Sequence, residues 1–141
     1  MSFLALPILF ALLSAVVFLF WKEVTPFRRV VSVGILLVLL ILAGCLIHFS
    51  YHYGVLVLKI GGWEPPFGIA LTVDGFSAIM IFLAIFVVLF SMVYSYFESS
   101  LQKEHHLRLP LVFFLLAGMI MSFSTGDLFN LFVAFEVLLI S

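Results

Sequence analysis

The chain has 141 residues, of which 66% are hydrophobic and only 9% are charged, and its formal net charge is −1. A soluble domain carries about 25% charged residues, and a chain this short cannot bury so much apolar surface in a core of its own. These numbers exclude a soluble domain, a disordered chain and a nucleic-acid binder, because the last needs basic clusters. Its single cysteine, Cys45, excludes a disulfide framework and a zinc finger.

Four long runs of the sequence contain no charged residue, and each is long enough to cross a bilayer, which takes about 20 apolar residues. They predict helices at about 3–21, 30–50, 75–97 and 109–126, and a fifth apolar run occupies 128–141. We therefore predict an all-α integral membrane protein, a single membrane domain over 1–141 with about five transmembrane helices. Because the fifth run is too short to span, we expect an N-terminal fragment of a longer protein.

The connection at 54–73 has the period-2 pattern of a β-hairpin. Two runs rich in β-branched and large apolar residues, 55–60 and 67–73, are separated by a six-residue tip with glycine and proline. Such backbone cannot face lipid unpaired, so we place the hairpin at the outer surface. Asp74 follows it and is predicted to cap the third helix.

Orientation follows from the lysine and arginine residues, which favour the cytoplasmic side. Five of the six lie in the connections 22–29 and 98–108, which are therefore predicted to be cytoplasmic. The N-terminus, the hairpin and the turn at Asp127 then face outward, in a plasma membrane.

Glu136 is the one charged residue inside a predicted membrane helix. If the fifth helix starts near Asp127, Glu136 lies about 13.5 Å along it, near the middle of a hydrocarbon core about 30 Å thick. A charged carboxylate there costs roughly 2.5–3.5 kcal/mol on insertion scales, and intramembrane acids commonly serve in proton relays. We predict that Glu136 translocates protons. The alternatives are a neutral carboxyl that hydrogen-bonds between helices and a glutamate nearer the membrane interface, if the fifth helix starts elsewhere.

Two more polar residues are candidates for proton or ion access to Glu136. Asp127 is predicted to be the N-cap of the fifth helix and a candidate for the outer half of the path. Asn130 lies in the first turn and, six residues from Glu136, on a different helix face.

The histidines and the motif inventory predict no metal and no cofactor. His105 and His106 are adjacent and do not share a helix face, whereas His48 and His52 have a spacing that places two imidazoles together, although an interfacial location explains both. The sequence contains no phosphate loop, haem pair, iron–sulfur spacing or nucleophile triad.

Three segments together carry a resemblance to a known family. They are residues 61–69 (Gly-Gly-Trp-Glu-Pro-Pro-Phe-Gly-Ile), 73–77 (Val-Asp-Gly-Phe-Ser) and 125–141, which opens with Thr-Gly-Asp-Leu-Phe-Asn and contains Glu136. The chain resembles the D subunits of Mrp-type Na+/H+ antiporters, whose wider superfamily includes membrane subunits of respiratory complex I and of membrane-bound hydrogenases. The first segment favours the Mrp type.

The resemblance implies the start of a fold of about fourteen helices with inverted repeats, acting in a hetero-oligomeric complex where proton entry drives Na+ export. It implies that Glu136 translocates protons and pairs with a lysine on a later helix. The expected partners are other membrane subunits of the complex, the lipid bilayer, protons and Na+, with no nucleic acid. The alternatives are a proton-pumping subunit of complex I or of a hydrogenase, which would be part of an enzyme, and a truncated assembly scaffold.

Overall fold

The computed structural model describes residues 2–60, 69–98 and 104–141. In chain order its elements are a 3-10 turn (Ser2–Ala5), α1 (Leu6–Phe20), α2 (Pro26–Tyr53), β1 (Leu56–Ile60), β2 (Ile69–Val73), α3 (Gly75–Glu98), α4 (Arg108–Ser124) and α5 (Leu128–Ile140).

Three helical segments are long and apolar enough to cross a membrane: Phe3–Phe20, Pro26–Tyr53 and Gly75–Glu98. The apolar helices α4 and α5 are shorter, with 17 and 13 residues. The prediction of a largely helical integral membrane protein is thereby confirmed.

Helix α2 begins before the second charge-free run because a strong start signal precedes that run. Thr25 has extended backbone and its hydroxyl accepts a hydrogen bond from Arg28 N at 3.3 Å, while Pro26 occupies the first helical position. The first turn therefore includes Arg28 and Arg29, which the sequence had placed in a connection. At its other end α2 stops at Gly54, whose φ of 73° favours glycine.

The helices pack as two pairs joined through α4, with α1 against α4 and α2 against α3, while α3 and α5 also contact α4. The largest fully buried apolar side chains come from all four of the first helices: Phe18, Leu36, Leu39, Leu46, Ile81, Ile85, Leu109, Phe113, Leu116 and Ile120. Many large apolar side chains elsewhere are exposed, including Leu13, Ile41 and Phe90. Such surfaces are expected against lipid or further helices.

The predicted hairpin-like connection is present as an antiparallel pair of strands. Its register runs from Leu56 opposite Val73 to Ile60 opposite Ile69, and the tip predicted at 61–66 lies outside the described residues. Leu56, Leu71 and Val73 are buried. The two strands pair each other's backbone groups, which backbone near lipid requires.

Asp74 caps α3 as predicted. Its carboxylate accepts a hydrogen bond from Ser77 N at 2.7 Å, which holds the pKa of Asp74 below its ordinary value.

The hairpin also holds the turn between α4 and α5. Leu71 forms a bridge with Thr125, and Gly126 N donates to Ala70 O at 2.9 Å. A Cβ atom on Gly126 would lie 2.6 Å from Thr72 Cγ2, so this approach needs glycine. The end of α2, the start of α3 and the start of α5 consequently share one end of the bundle.

Candidate functional site

Helix α5 starts with a network of short hydrogen bonds around Asp127. The Asp127 carboxylate accepts from Phe129 N at 3.2 Å, which confirms the predicted N-cap. Thr125 Oγ1 accepts from Asp127 N at 3.3 Å and donates to Asp127 O at 3.0 Å. The carboxylate remains half-exposed at this end of the bundle.

Asn130 lies one turn further along α5 and is 2% exposed. Within residues 2–60, 69–98 and 104–141, its Nδ2 has no hydrogen-bond partner. Leaving a buried donor unpaired costs about 1–3 kcal/mol, and buried amides are nearly always paired. The site therefore requires an acceptor for this amide, such as a water molecule.

Two small residues bring α5 close to α4. Ala134 of α5 is fully buried, and a Cβ atom on Gly118 of α4 would lie 2.9 Å from Leu138 Cγ and 3.3 Å from Ala134 O. Small residues at such contacts let helix backbones approach closely. This contact fixes the face of α5 that turns toward α4.

Glu136 lies on the other side of the helix. It is two residues beyond Ala134, which is about 200° around an α-helix, and its side chain is exposed. It lies eight residues after Leu128, or about 12 Å along the axis. Across the described part of the chain, Glu136 forms neither a salt bridge nor a side-chain hydrogen bond.

The structure therefore does not bring the three predicted site residues together. Asp127 lies at the helix start, Asn130 faces α4, and Glu136 points away from the bundle. Within the same described segments, no group of three or more His, Cys, Asp or Glu side chains is arranged to hold a metal ion.

A cluster at the opposite end of the bundle was missed from the sequence. The Arg28 side chain is 1% exposed, and its Nη2 donates to Phe18 O at 3.1 Å and His106 O at 2.6 Å. One guanidinium thus joins the end of α1, the start of α2 and the segment before α4. The Thr25-Pro26 start signal would have placed this arginine in a helix.

Arg29 forms the second half of this cluster. Its Nη2 lies 2.7 Å from Glu104 Oε2, and the Glu104 side chain is 1% exposed. The guanidinium also lies 5.0 Å from the centroid of the Tyr96 ring, and the Tyr96 hydroxyl lies 2.7 Å from Ser32 Oγ. Partners 75 residues apart in sequence tie α2, α3 and the segment before α4 together.

The fold and these sites define a class: a helical membrane protein with a lone acidic side chain within a short apolar helix. No family model matches the chain. It is 34% identical over 140 residues to the D subunit of a Na+/H+ antiporter of Bacillus subtilis, covering 99% of this chain.

Two solved membrane complexes share the fold. A chain of the Mrp complex from a Dietzia species matches with a TM-score of 0.87 and 27% identity, covering 99% of this chain and 26% of that one. A chain of the membrane-bound sulfane sulfur reductase, an archaeal respiratory membrane complex, matches with a TM-score of 0.86 and 30% identity, covering 99% and 29%.

These comparisons confirm the resemblance to the D subunits of Mrp-type antiporters. The chain is a homologue of antiporter D subunits, and it spans about 28% of the length of the curated relative.

Proposed function

We propose that this chain belongs to a subunit of a multisubunit monovalent cation (Na+)/proton antiporter and that Glu136 carries protons across the membrane. The similarity to antiporter D subunits along nearly the whole chain supports the first part. The observation that carries the second is the position of Glu136, an exposed acid about two thirds of the way along an apolar helix and facing away from the bundle.

The free-energy cost of placing a charged carboxylate in the bilayer indicates that Glu136 has a polar or charged partner. A charge near the bilayer centre costs roughly 2.5–3.5 kcal/mol, so such groups face a protein interior or a water-filled cavity and pair with other polar groups. The described residues supply no such partner. The family resemblance implies a lysine partner on a later helix, and we propose that this lysine lies outside the 28% of the curated relative that the chain spans.

We also propose that Asp127 and Asn130 lie along the route by which protons or cations reach Glu136 from the outer side. The Asp127 carboxylate is half-exposed at the end of the bundle. The buried Asn130 amide, which needs an acceptor, would hold a water molecule one turn deeper. A carboxylate followed by an ordered water is suited to proton entry because both exchange protons.

The proposed orientation places the N-terminus outside and the segments 22–29 and 98–108 in the cytoplasm of a plasma membrane. The clustering of Arg28, Arg29 and Arg108 at one end of the bundle supports it, because all three guanidinium groups lie near Phe18 or Tyr96. Basic residues are retained on the cytoplasmic side.

The test is the substitution Glu136→Gln in the full-length protein within its complex, assayed as Na+-dependent proton movement in inverted membrane vesicles. The amide keeps the size and loses the exchangeable charge, so we expect antiport to fall to background. Glu23→Gln, the same change at an exposed position in the connection between α1 and α2, is the matched control and should retain full activity. Full activity in Glu136→Gln would refute the assignment.

A proton-pumping subunit of a respiratory enzyme is the second candidate. The match to the sulfane sulfur reductase complex, at 30% identity, favours it specifically. Purification of the native complex distinguishes the two, since copurifying iron–sulfur subunits indicate the respiratory complex and small membrane subunits alone indicate the antiporter.

A further inference from the structure

The last two turns of α2 carry a pair of histidines on one face. His48 and His52 are four residues apart, so they lie one above the other on the helix. Their ring centroids are 4.5 Å apart with an interplanar angle of 67°, and both side chains are exposed. Two imidazoles at i and i+4 of a helix form the pair of zinc ligands in helical metal motifs.

Among the described residues, neither imidazole uses a ring nitrogen in a hydrogen bond or an ion pair. Over the described residues, no hydrogen bond or ion pair reaches the side chain of His48 or His52, and their contacts are ring contacts with Phe49, Tyr51 and each other. An uncommitted imidazole nitrogen is a ligand for Zn2+, Cu2+ and Ni2+.

The electrostatics of the position favour a cation. His52 lies in the last turn of α2, which ends at Tyr53, and the free carbonyl groups of a helix C-terminus carry a partial negative charge. A divalent ion at this turn is attracted by that charge.

The second histidine pair of the chain, His105 and His106, lacks two properties of the first: uncommitted ring nitrogens and a position at the negative end of a helix. His105 and His106 also have ring centroids 4.5 Å apart, but His105 Nδ1 accepts a hydrogen bond from Leu107 N at 3.3 Å. Arg28 donates to the His106 carbonyl group, so a cationic guanidinium lies beside this pair. This pair therefore serves as a control, because its two imidazoles are equally close but lack the other features of a metal site.

We propose that His48 and His52 form a binding site for a divalent transition-metal ion at the end of α2. The two imidazole rings supply two ligands, and water completes the coordination. Cys45 lies one turn earlier, but the described residues contain no three-ligand group, so the thiol is not part of the site. The site does not depend on the proposed transport function.

The test uses Cu2+ as the probe on the purified full-length protein in its complex, in nanodiscs and with an affinity tag free of histidine. Electron paramagnetic resonance counts the coordinating imidazole nitrogens, and titration gives the affinity. We expect one class of Cu2+ with two imidazoles. His48→Gln and His52→Gln should each lower the affinity about tenfold or more and leave a single imidazole.

Two further variants separate helix spacing from histidine content. His105→Gln with His106→Gln should leave this class of Cu2+ unchanged. His52→Gln with Tyr53→His keeps the number of histidines but turns the second ring about 100° around the helix, and it should lose the two-imidazole signal. Unchanged Cu2+ binding in His48→Gln, or an unchanged signal in the Tyr53→His variant, would overturn the proposal.

Discussion

Three acidic side chains of this chain show how surroundings decide what a carboxylate does. Asp127 accepts a backbone hydrogen bond and starts a helix, and Glu104 is buried against Arg29. Glu136 has neither kind of contact in the described segments, although it lies within an apolar helix. The contacts of Asp127 and Glu104 stabilise the fold, and Asp127 also belongs to the proposed access route. The position of Glu136 fits the proton-carrying role proposed for it.

The Glu104 carboxylate should contribute far more to the free energy of unfolding than an exposed acidic side chain does. Glu104→Gln removes the negative charge opposite Arg29 in a pair whose side chains are 15% and 1% exposed. Breaking a buried pair from one side costs about 3 kcal/mol, so we expect a clear fall in melting temperature in detergent.

The control is Glu98→Gln, because Glu98 is exposed at the end of α3. An exposed charge contributes about 0–1 kcal/mol, and this variant should melt close to the native protein. Equal melting temperatures for the two variants would show that the Arg29–Glu104 pair does not hold this end of the bundle.

At the scale of elements, the packing of α5 on α4 determines where Glu136 points. Gly118→Ala should separate these helices, because the added Cβ would approach Leu138 Cγ to 2.9 Å. Overpacking of this kind costs about 1–3 kcal/mol, measured as lower thermal stability.

Gly44→Ala is the matched control for that change. Gly44 lies in α2, and apart from its chain neighbours and the nearby backbone of that helix no atom lies within 4 Å of the added Cβ. Alanine is the better helix former by roughly 0.5–1 kcal/mol. This variant should be as stable as the native protein or more so. A Gly118→Ala variant that is also stabilised would contradict the close approach of α4 and α5.

The contact between the hairpin and the turn before α5 allows a rescue experiment. Gly126→Ala should destabilise the protein, because its Cβ would lie 2.6 Å from Thr72 Cγ2 and 2.8 Å from Thr72 Oγ1. Thr72→Ala removes both atoms, so the double variant should recover most of the lost melting temperature. Failure of this rescue would argue against the docking of the hairpin on this turn.

At the scale of the whole molecule, the two ends of the bundle should face opposite sides of the membrane. In a full-length protein whose cysteines, Cys45 included, are replaced by alanine, Lys59→Cys on β1 should react with a membrane-impermeant maleimide added to cells whose outer surface is accessible. Glu23→Cys should react only after the membrane is permeabilised. Reaction of both from outside, or the reverse pattern, would contradict the proposed orientation.

The helices and the hairpin could be predicted from the sequence because the protein is surrounded by lipid. Lipid demands long apolar helices and paired strands, so the charge-free runs and the alternating pattern at 54–73 predicted the helices and the hairpin. The Arg29–Glu104 pair escaped prediction because its partners are 75 residues apart. The direction of Glu136 escaped it too, because that direction depends on the contact between Gly118 and α5.

The proton-carrying role proposed for Glu136 is tested most directly by one measurement. Na+-driven proton exchange is compared in vesicles that contain the native complex, Glu136→Gln or Glu136→Asp at equal expression and equal assembly. We predict background exchange for the glutamine variant and partial exchange for the aspartate variant, which keeps an ionisable group on a shorter side chain. Native exchange in an assembled complex with Glu136→Gln would contradict the claim.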